Sequence, residues 1–204
     1  MGSVQAVIFD WGGVIMRTVD PAPRLYWDKR LGREPGSVER VVHGIDAWWE
    51  VQRGEISIDG YWKQVGQELG LLPDDLARLR HDFYSGDRID RTLVALIERM
   101  RGGGILVGLL SNFSQDLVTV LDELGISPLF DAIVVSADIG AMKPDAHAYR
   151  AILDALGVLP AAAVFIDDSE QNVERARQIG IQAIHFVPGC DIEALLTQLL
   201  EDED

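Results

Sequence analysis

Asp10, Ser111, Lys143, Asp167 and Asp168 are the residues of this sequence whose types and settings invite chemistry. Apolar runs lead into most of them: Val7-Ile8-Phe9 into Asp10, Leu109-Leu110 into Ser111, and Val164-Phe165-Ile166 into the pair Asp167-Asp168. Lys143 stands in the loop Ala141-Met142-Lys143-Pro144. Three carboxylates brought to one place raise each other's pKa unless a cation lies among them. Hard oxygen donors of this kind suit Mg²⁺, so a bound divalent cation is the economical expectation. The cation and the lysine together would let an acidic protein accept an anionic small molecule. Taken singly, each residue has a plain structural use. Asp10 can open a turn with Gly12 and Gly13, Ser111 can cap a helix, Lys143 can be a solvated side chain, and the Asp pair can cap a helix near Glu170. Two adjacent carboxylates directly after a buried run fit that use poorly, and the series as a whole favours a site.

For these residues to meet, the elements that precede them must lie side by side. Residues 4–9, 105–110, 133–135, 164–166 and 183–187 read as five short strands buried on both faces, the last stopped by Pro188-Gly189. Helical periods over 114–124, 145–156 and 170–179 lie between them, each closed by a glycine. Alternating strands and helices predict an α/β fold with a doubly wound parallel sheet. Ligands of such sheets bind beyond the carboxyl ends of the strands, which is where Asp10, Ser111 and Asp167-Asp168 stand. Residues 17–88 break the alternation with amphipathic helical stretches and no strand. They predict a helical insertion, the core being residues 1–16 and 89–204.

Composition narrows the partners. A chain of 204 residues is long enough for one well-buried core, and its net charge of −15 repels nucleic acid and anionic membrane surfaces. Small ligands fit better. The single cysteine, Cys190, forms no internal disulfide, and no apolar run of about 18 residues or signal-like N-terminus is present, so a cytoplasmic location is expected. The closing Glu201-Asp202-Glu203-Asp204 run reads as a solvated helix end. His43, His81, His147 and His185 show no paired metal-ligand spacing. Of Trp48 and Trp49, at most one should face the site, and Arg17 and His43 are candidate substrate contacts near the insertion.

In order along the chain, the motifs resemble those of the haloacid dehalogenase-like (HAD) hydrolase superfamily. The similarity is to the branch with a helical cap after the first motif, close to the phosphatase-like N-terminal domains of soluble epoxide hydrolases. The four motifs are Val7-Ile8-Phe9-Asp10-Trp11-Gly12-Gly13-Val14, Leu109-Leu110-Ser111-Asn112, Met142-Lys143-Pro144 and Phe165-Ile166-Asp167-Asp168-Ser169-Glu170-Gln171-Asn172. Each is short, but the series spans nearly the whole chain. The resemblance implies a Rossmann-like core with an inserted α-helical cap, and Mg²⁺-dependent hydrolysis of a small phosphorylated metabolite. It implies that Asp10 is the nucleophile, forming an aspartyl-phosphate. Asp168 would be the principal metal ligand, joined by Asp10 and the carbonyl of Gly12, with Asp167 supporting the cluster. Ser111 and the amide of Asn112 would bind phosphoryl oxygens, Lys143 would neutralise charge and steer Asp10, and Asn172 matches the last polar position.

One position departs from the pattern. Most phosphatases that this sequence resembles carry a second aspartate two residues after the nucleophile, serving as general acid and base, and here Gly12 stands there. Gly12 therefore leaves two alternatives open: a dehalogenase in which Asp10 attacks carbon, and a catalytically silent binding protein. Displacing halide from carbon needs no Mg²⁺, so the Asp167-Asp168 pair favours phosphate.

Overall fold

The computed structural model describes residues 4–187 and 189–201. Along the chain run β1 (Ala6–Phe9), β2 (Met16–Thr18), α1 (Ala22–Arg30), α2 (Ser37–Val42), α3 (Asp46–Gln52), α4 (Ile58–Leu69), α5 (Pro73–Phe83), β3 (Asp87–Ile89) and α6 (Arg91–Gly102). There follow β4 (Leu106–Ser111), α7 (Leu117–Glu123), β5 (Ala132–Val135), α8 (Ser136–Ile139), α9 (Ala146–Leu156), β6 (Ala163–Asp167), α10 (Glu170–Gln178), β7 (Gln182–His185) and α11 (Ile192–Glu201). The acidic residues 202–204 and the stop signal at Pro188 lie outside the described residues. No helix among the described residues is long and apolar enough to cross a membrane.

The five expected strands form one sheet in the order β5-β4-β1-β6-β7, every pairing parallel. β1 takes the centre because all four of its residues are apolar and fully buried, as a strand with no wet face requires. Its side chains alternate between two cores. Val7 and Phe9 pack with Leu93, Ile97 and Leu121 from α6 and α7, whereas Ala6 and Ile8 pack with Tyr149 and Ile152 of α9. The chain first builds β4 and β5 on one side of β1, then crosses to β6 and β7 on the other. That reversal opens a crevice beyond the carboxyl end of β1, between β4 and β6.

Helices α1 to α5 gather around a third core that includes Trp27, Val38, Tyr61, Trp62, Leu79 and Phe83. Each fully buried aromatic or aliphatic side chain there contributes about 1.5–3 kcal/mol over its exposed state. The expectation that residues 17–88 hold no strand is corrected. β2 and β3 pair antiparallel, Met16 with Ile89, Arg17 with Arg88 and Thr18 with Asp87, across both expected boundaries of the insertion. Three-residue polar strands carry no alternation to read, and their partners are remote in sequence. Gly86 tightens this ribbon: its carbonyl accepts the N–H groups of Val19 and Asp20 at 3.1 Å each, and a Cβ there would strike the Asp20 carbonyl.

Candidate active site

Asp10 extends β1 by one residue, its N–H donating to the Ile166 carbonyl at 2.9 Å, so the carboxylate is delivered to the crevice by the sheet itself. Its Oδ1 accepts the Trp11 N–H at 2.7 Å and lies 2.8 Å from Lys143 Nζ. The same ammonium is 2.7 Å from Asp167 Oδ2. Lys143 and Asp167 are buried, with side chains 1% and 0% exposed. Asp167 is held in turn by the Ser169 N–H at 2.8 Å and by Asn172 Nδ2, 3.1 Å from both oxygens. Tyr149 secures Asn172 by donating its hydroxyl to the Asn172 carbonyl at 2.9 Å.

Asn112 has a use that the sequence did not suggest. Its side-chain amide donates to the Lys143 carbonyl at 2.9 Å and accepts the Lys143 N–H at 2.8 Å, clasping the lysine loop onto the end of β4. Ser111, buried at the last position of β4, lines the same crevice as Asp10, Gly12 and Lys143. Asp168 is exposed, and His185 Nε2 lies 3.0 Å from the Asp168 carbonyl. The carboxylates of Asp10, Asp167 and Asp168 each offer one oxygen within 4.8 Å of the others. Gly13 makes this possible. It adopts φ +78°, and a Cβ there would stand on the Asp168 carboxylate, so the position requires glycine for conformation and for space.

The charges explain one another. Burial pushes the Asp10 pKa up; Lys143 draws it back, and Asp167 pushes it further up. Desolvation and the neighbouring Asp167 raise Asp168 as well. For Lys143, burial alone would lower the pKa, but Asp10 and Asp167 outweigh it and hold the ammonium charged. Removing one member of such a buried pair leaves an uncompensated charge, which typically costs 3–5 kcal/mol, about that order here. Lys143→Met is therefore expected to destabilise the fold by about 3–5 kcal/mol in urea unfolding. A loss below about 1 kcal/mol would mean that Asp10 and Asp167 do not depend on it.

With Asp10, Ser111 and Lys143 in its wall, the crevice is part of a cavity of about 750 Å³ roofed by the helical insertion. Trp48 and His43 line it, Arg17 stands at its edge, and Trp49 is 46% exposed and faces away from it. Core and insertion are joined through Ser136, whose Oγ donates to the Gln52 carbonyl at 2.6 Å and accepts the Phe113 N–H at 3.0 Å.

Residues 4–180 match the family description "haloacid dehalogenase-like hydrolase". The chain is 29% identical over 200 residues to the sesquiterpene phosphatase astK of Aspergillus oryzae, covering 96% of each. It is 32% identical over 195 residues to the phosphatase MT3486 of Mycobacterium tuberculosis, covering 89% of this chain and 86% of that protein. Among solved structures, the HAD family enzyme bt-2542 of Bacteroides thetaiotaomicron, crystallised with magnesium and inorganic phosphate, superposes with a TM-score of 0.76. The two chains are 20% identical, with 94% of this chain and 98% of that one covered, a likeness of fold.

Proposed function

Because this chain belongs to the haloacid dehalogenase-like hydrolases, we propose that it is a Mg²⁺-dependent phosphatase acting on a small phosphate monoester through an aspartyl-phosphate on Asp10. The observation that carries this reading is the meeting of Asp10, Asp167 and Asp168 around one point, with Lys143 beside them. Two relatives named as phosphatases support it.

The donor set fits Mg²⁺: it is all oxygen, and burial, with the like charge of Asp167, pushes two of its carboxylates up, a repulsion that a cation would relieve. Asp168, Asp10 and the Gly12 carbonyl would hold the ion, with Asp167 behind them. When bound, it supplies positive charge that polarises the phosphoryl group and quiets the repulsion among the carboxylates. Asp10 Oδ1 is fixed by Trp11 and Lys143, leaving Oδ2 to attack phosphorus as the bond to the ester oxygen breaks. The departing oxygen takes a proton from solvent or from the substrate. Water then attacks the aspartyl-phosphate and loses a proton, the bond from phosphorus to Asp10 breaks, and inorganic phosphate and the free carboxylate result. Ser111 and the main-chain amide of Asn112 hold the phosphoryl oxygens, and Lys143 offsets their charge. Residues 17–88 act as a cap over the core of residues 1–16 and 89–204, keeping bulk water from the transfer.

Asp168→Asn tests the metal's place. It should weaken the apparent Mg²⁺ affinity and lower kcat/KM together by at least about 10–100-fold, the loss typical of even outer-shell partners, with partial recovery in excess Mg²⁺. An unchanged Mg²⁺ titration would put the ion elsewhere. Halide release from 2-haloacids without added metal, with no phosphate released from any ester, would turn the assignment to a dehalogenase.

A further inference from the structure

The cavity is far larger than a phosphoryl group, and its walls say what else it takes. On the insertion side it is lined by the rings of Trp48, Tyr61, Trp62 and Tyr84. Tyr61 is fully buried behind this wall, with its hydroxyl spent on the Val42 carbonyl at 2.5 Å, so it adds no free polar group to the cavity. The facing wall comes from Met16, Phe113, Val120 and Leu124.

The cations along these walls are already engaged. Arg24 is buried between Glu39 at 2.6 Å and Asp87 at 3.0 Å. Arg80 pairs with Asp59 at 2.7 Å, and Arg17 pairs with Asp90. Burial, and Arg24 beside it, hold His43 down to about 4, so it is neutral near pH 7 despite Glu39. Asp116 and Glu123 also line the cavity. Among the described residues, Lys143 is the lining cation that stands beside Asp10 at the phosphoryl end, and it too is paired, with Asp10 and Asp167. A second anionic group on the substrate would meet carboxylates and occupied arginines.

We propose that the substrate is a phosphate monoester of an uncharged, mainly apolar alcohol or phenol, whose organic group fills the aromatic chamber under the insertion. This rests on the phosphatase reading and adds the class of the leaving group. A cavity of about 750 Å³ lies within the range, roughly 300–1,000 Å³, of sites that enclose a drug-sized ligand. Phosphorylated carboxylic acids fit it poorly, because the second anion would lose water and meet Asp116 and Glu123.

The test uses 4-alkylphenyl phosphates from methyl to octyl, with partners of equal length ending in a carboxylate. The phenolate leaving group is nearly constant across the series, so differences report the chamber. kcat/KM should rise by about fourfold per added methylene until the chamber is full, in line with the transfer energy of a buried methylene. The terminal carboxylate should cost at least tenfold at the longer lengths, roughly the energy of one to two such methylenes. Trp48→Leu should flatten the rise. Leu124→Arg, at an exposed rim position, should shrink the carboxylate penalty by adding positive charge to the wall that holds Asp116 and Glu123. A flat series, or carboxylates hydrolysed as well as alkyl partners, would overturn the inference while the released phosphate upholds the phosphatase reading. If no ester in the series releases phosphate and simple phenyl phosphate does not either, the phosphatase reading itself falls, and this inference with it.

Discussion

Asp10→Asn will stop phosphate release, lowering kcat by roughly 10⁴–10⁶-fold, the range met when a covalent nucleophile is removed. The amide has the size of the carboxylate and can still accept the Trp11 N–H, but it cannot form the acyl-phosphate bond. Lys143 keeps Asp167 as a partner, so the variant should fold and unfold close to the parent. Phosphate release from 4-nitrophenyl phosphate, measured beside thermal unfolding, separates the two effects. Activity within tenfold of the parent in a folded variant would remove Asp10 from the chemistry.

Gly12→Asp should act in the opposite direction. Ester cleavage leaves an alkoxide that needs a proton, and the attacking water must lose one; a positioned acid-base group typically contributes about 10²–10⁴-fold. Position 12 lines the cavity beside Asp10, a Cβ built on it meets nothing within 4 Å, and its φ lies outside the left-handed region that excludes side chains. Aspartate therefore has both room and a permitted backbone there. Turnover of alkyl phosphates should rise by about 10²-fold, while aryl phosphates, whose leaving groups need no proton, should change by only a few fold. The next residue supplies the control. Gly13→Ala must adopt the φ of +78° and drive its methyl into the Asp168 carboxylate, so it should lose activity on both ester classes. Equal or lower turnover by a folded, Mg²⁺-binding Gly12→Asp protein would show that proton transfer at this position is not limiting.

Much of the core was legible because its signals are local. A strand buried on both faces must be apolar throughout and must stop where a polar residue can reach the crevice, and Val7-Ile8-Phe9-Asp10 and Val164-Phe165-Ile166-Asp167 do both. Helix α6 carries equally local signals. Asp90 caps its Thr92 and Leu93 N–H groups, and Leu93, Val94, Leu96, Ile97 and Met100 form its buried face. The β2–β3 ribbon and the four-residue helix α8 depend on remote neighbours and left no local trace. In the site, residue types announced Asp10, Lys143 and the Asp pair, but not how they are held. That Asn112 clasps Lys143 through its side chain, that Asn172 binds Asp167, and that Gly13 yields its space to Asp168 follow only once three strand ends stand together.

The central place of β1 also sets a schedule. Ala6 pairs with Leu106 on one side and Ala163 on the other, so the first strand to be synthesised is among the last to be completed. Parallel pairings between such distant segments form slowly, because the entropy of closing the intervening loop comes before the reward. The β2–β3 ribbon eases the first closure by drawing residues 16–18 to residues 87–89, so that the insertion no longer counts toward the loop between β1 and β4. A nascent chain that has passed α9 already contains Asp10, Ser111 and Lys143, yet its lysine lacks the buried partner that β6 brings. Hydrolytic competence should therefore arrive in one step late in synthesis, when β6 docks, and not by degrees as the chain emerges.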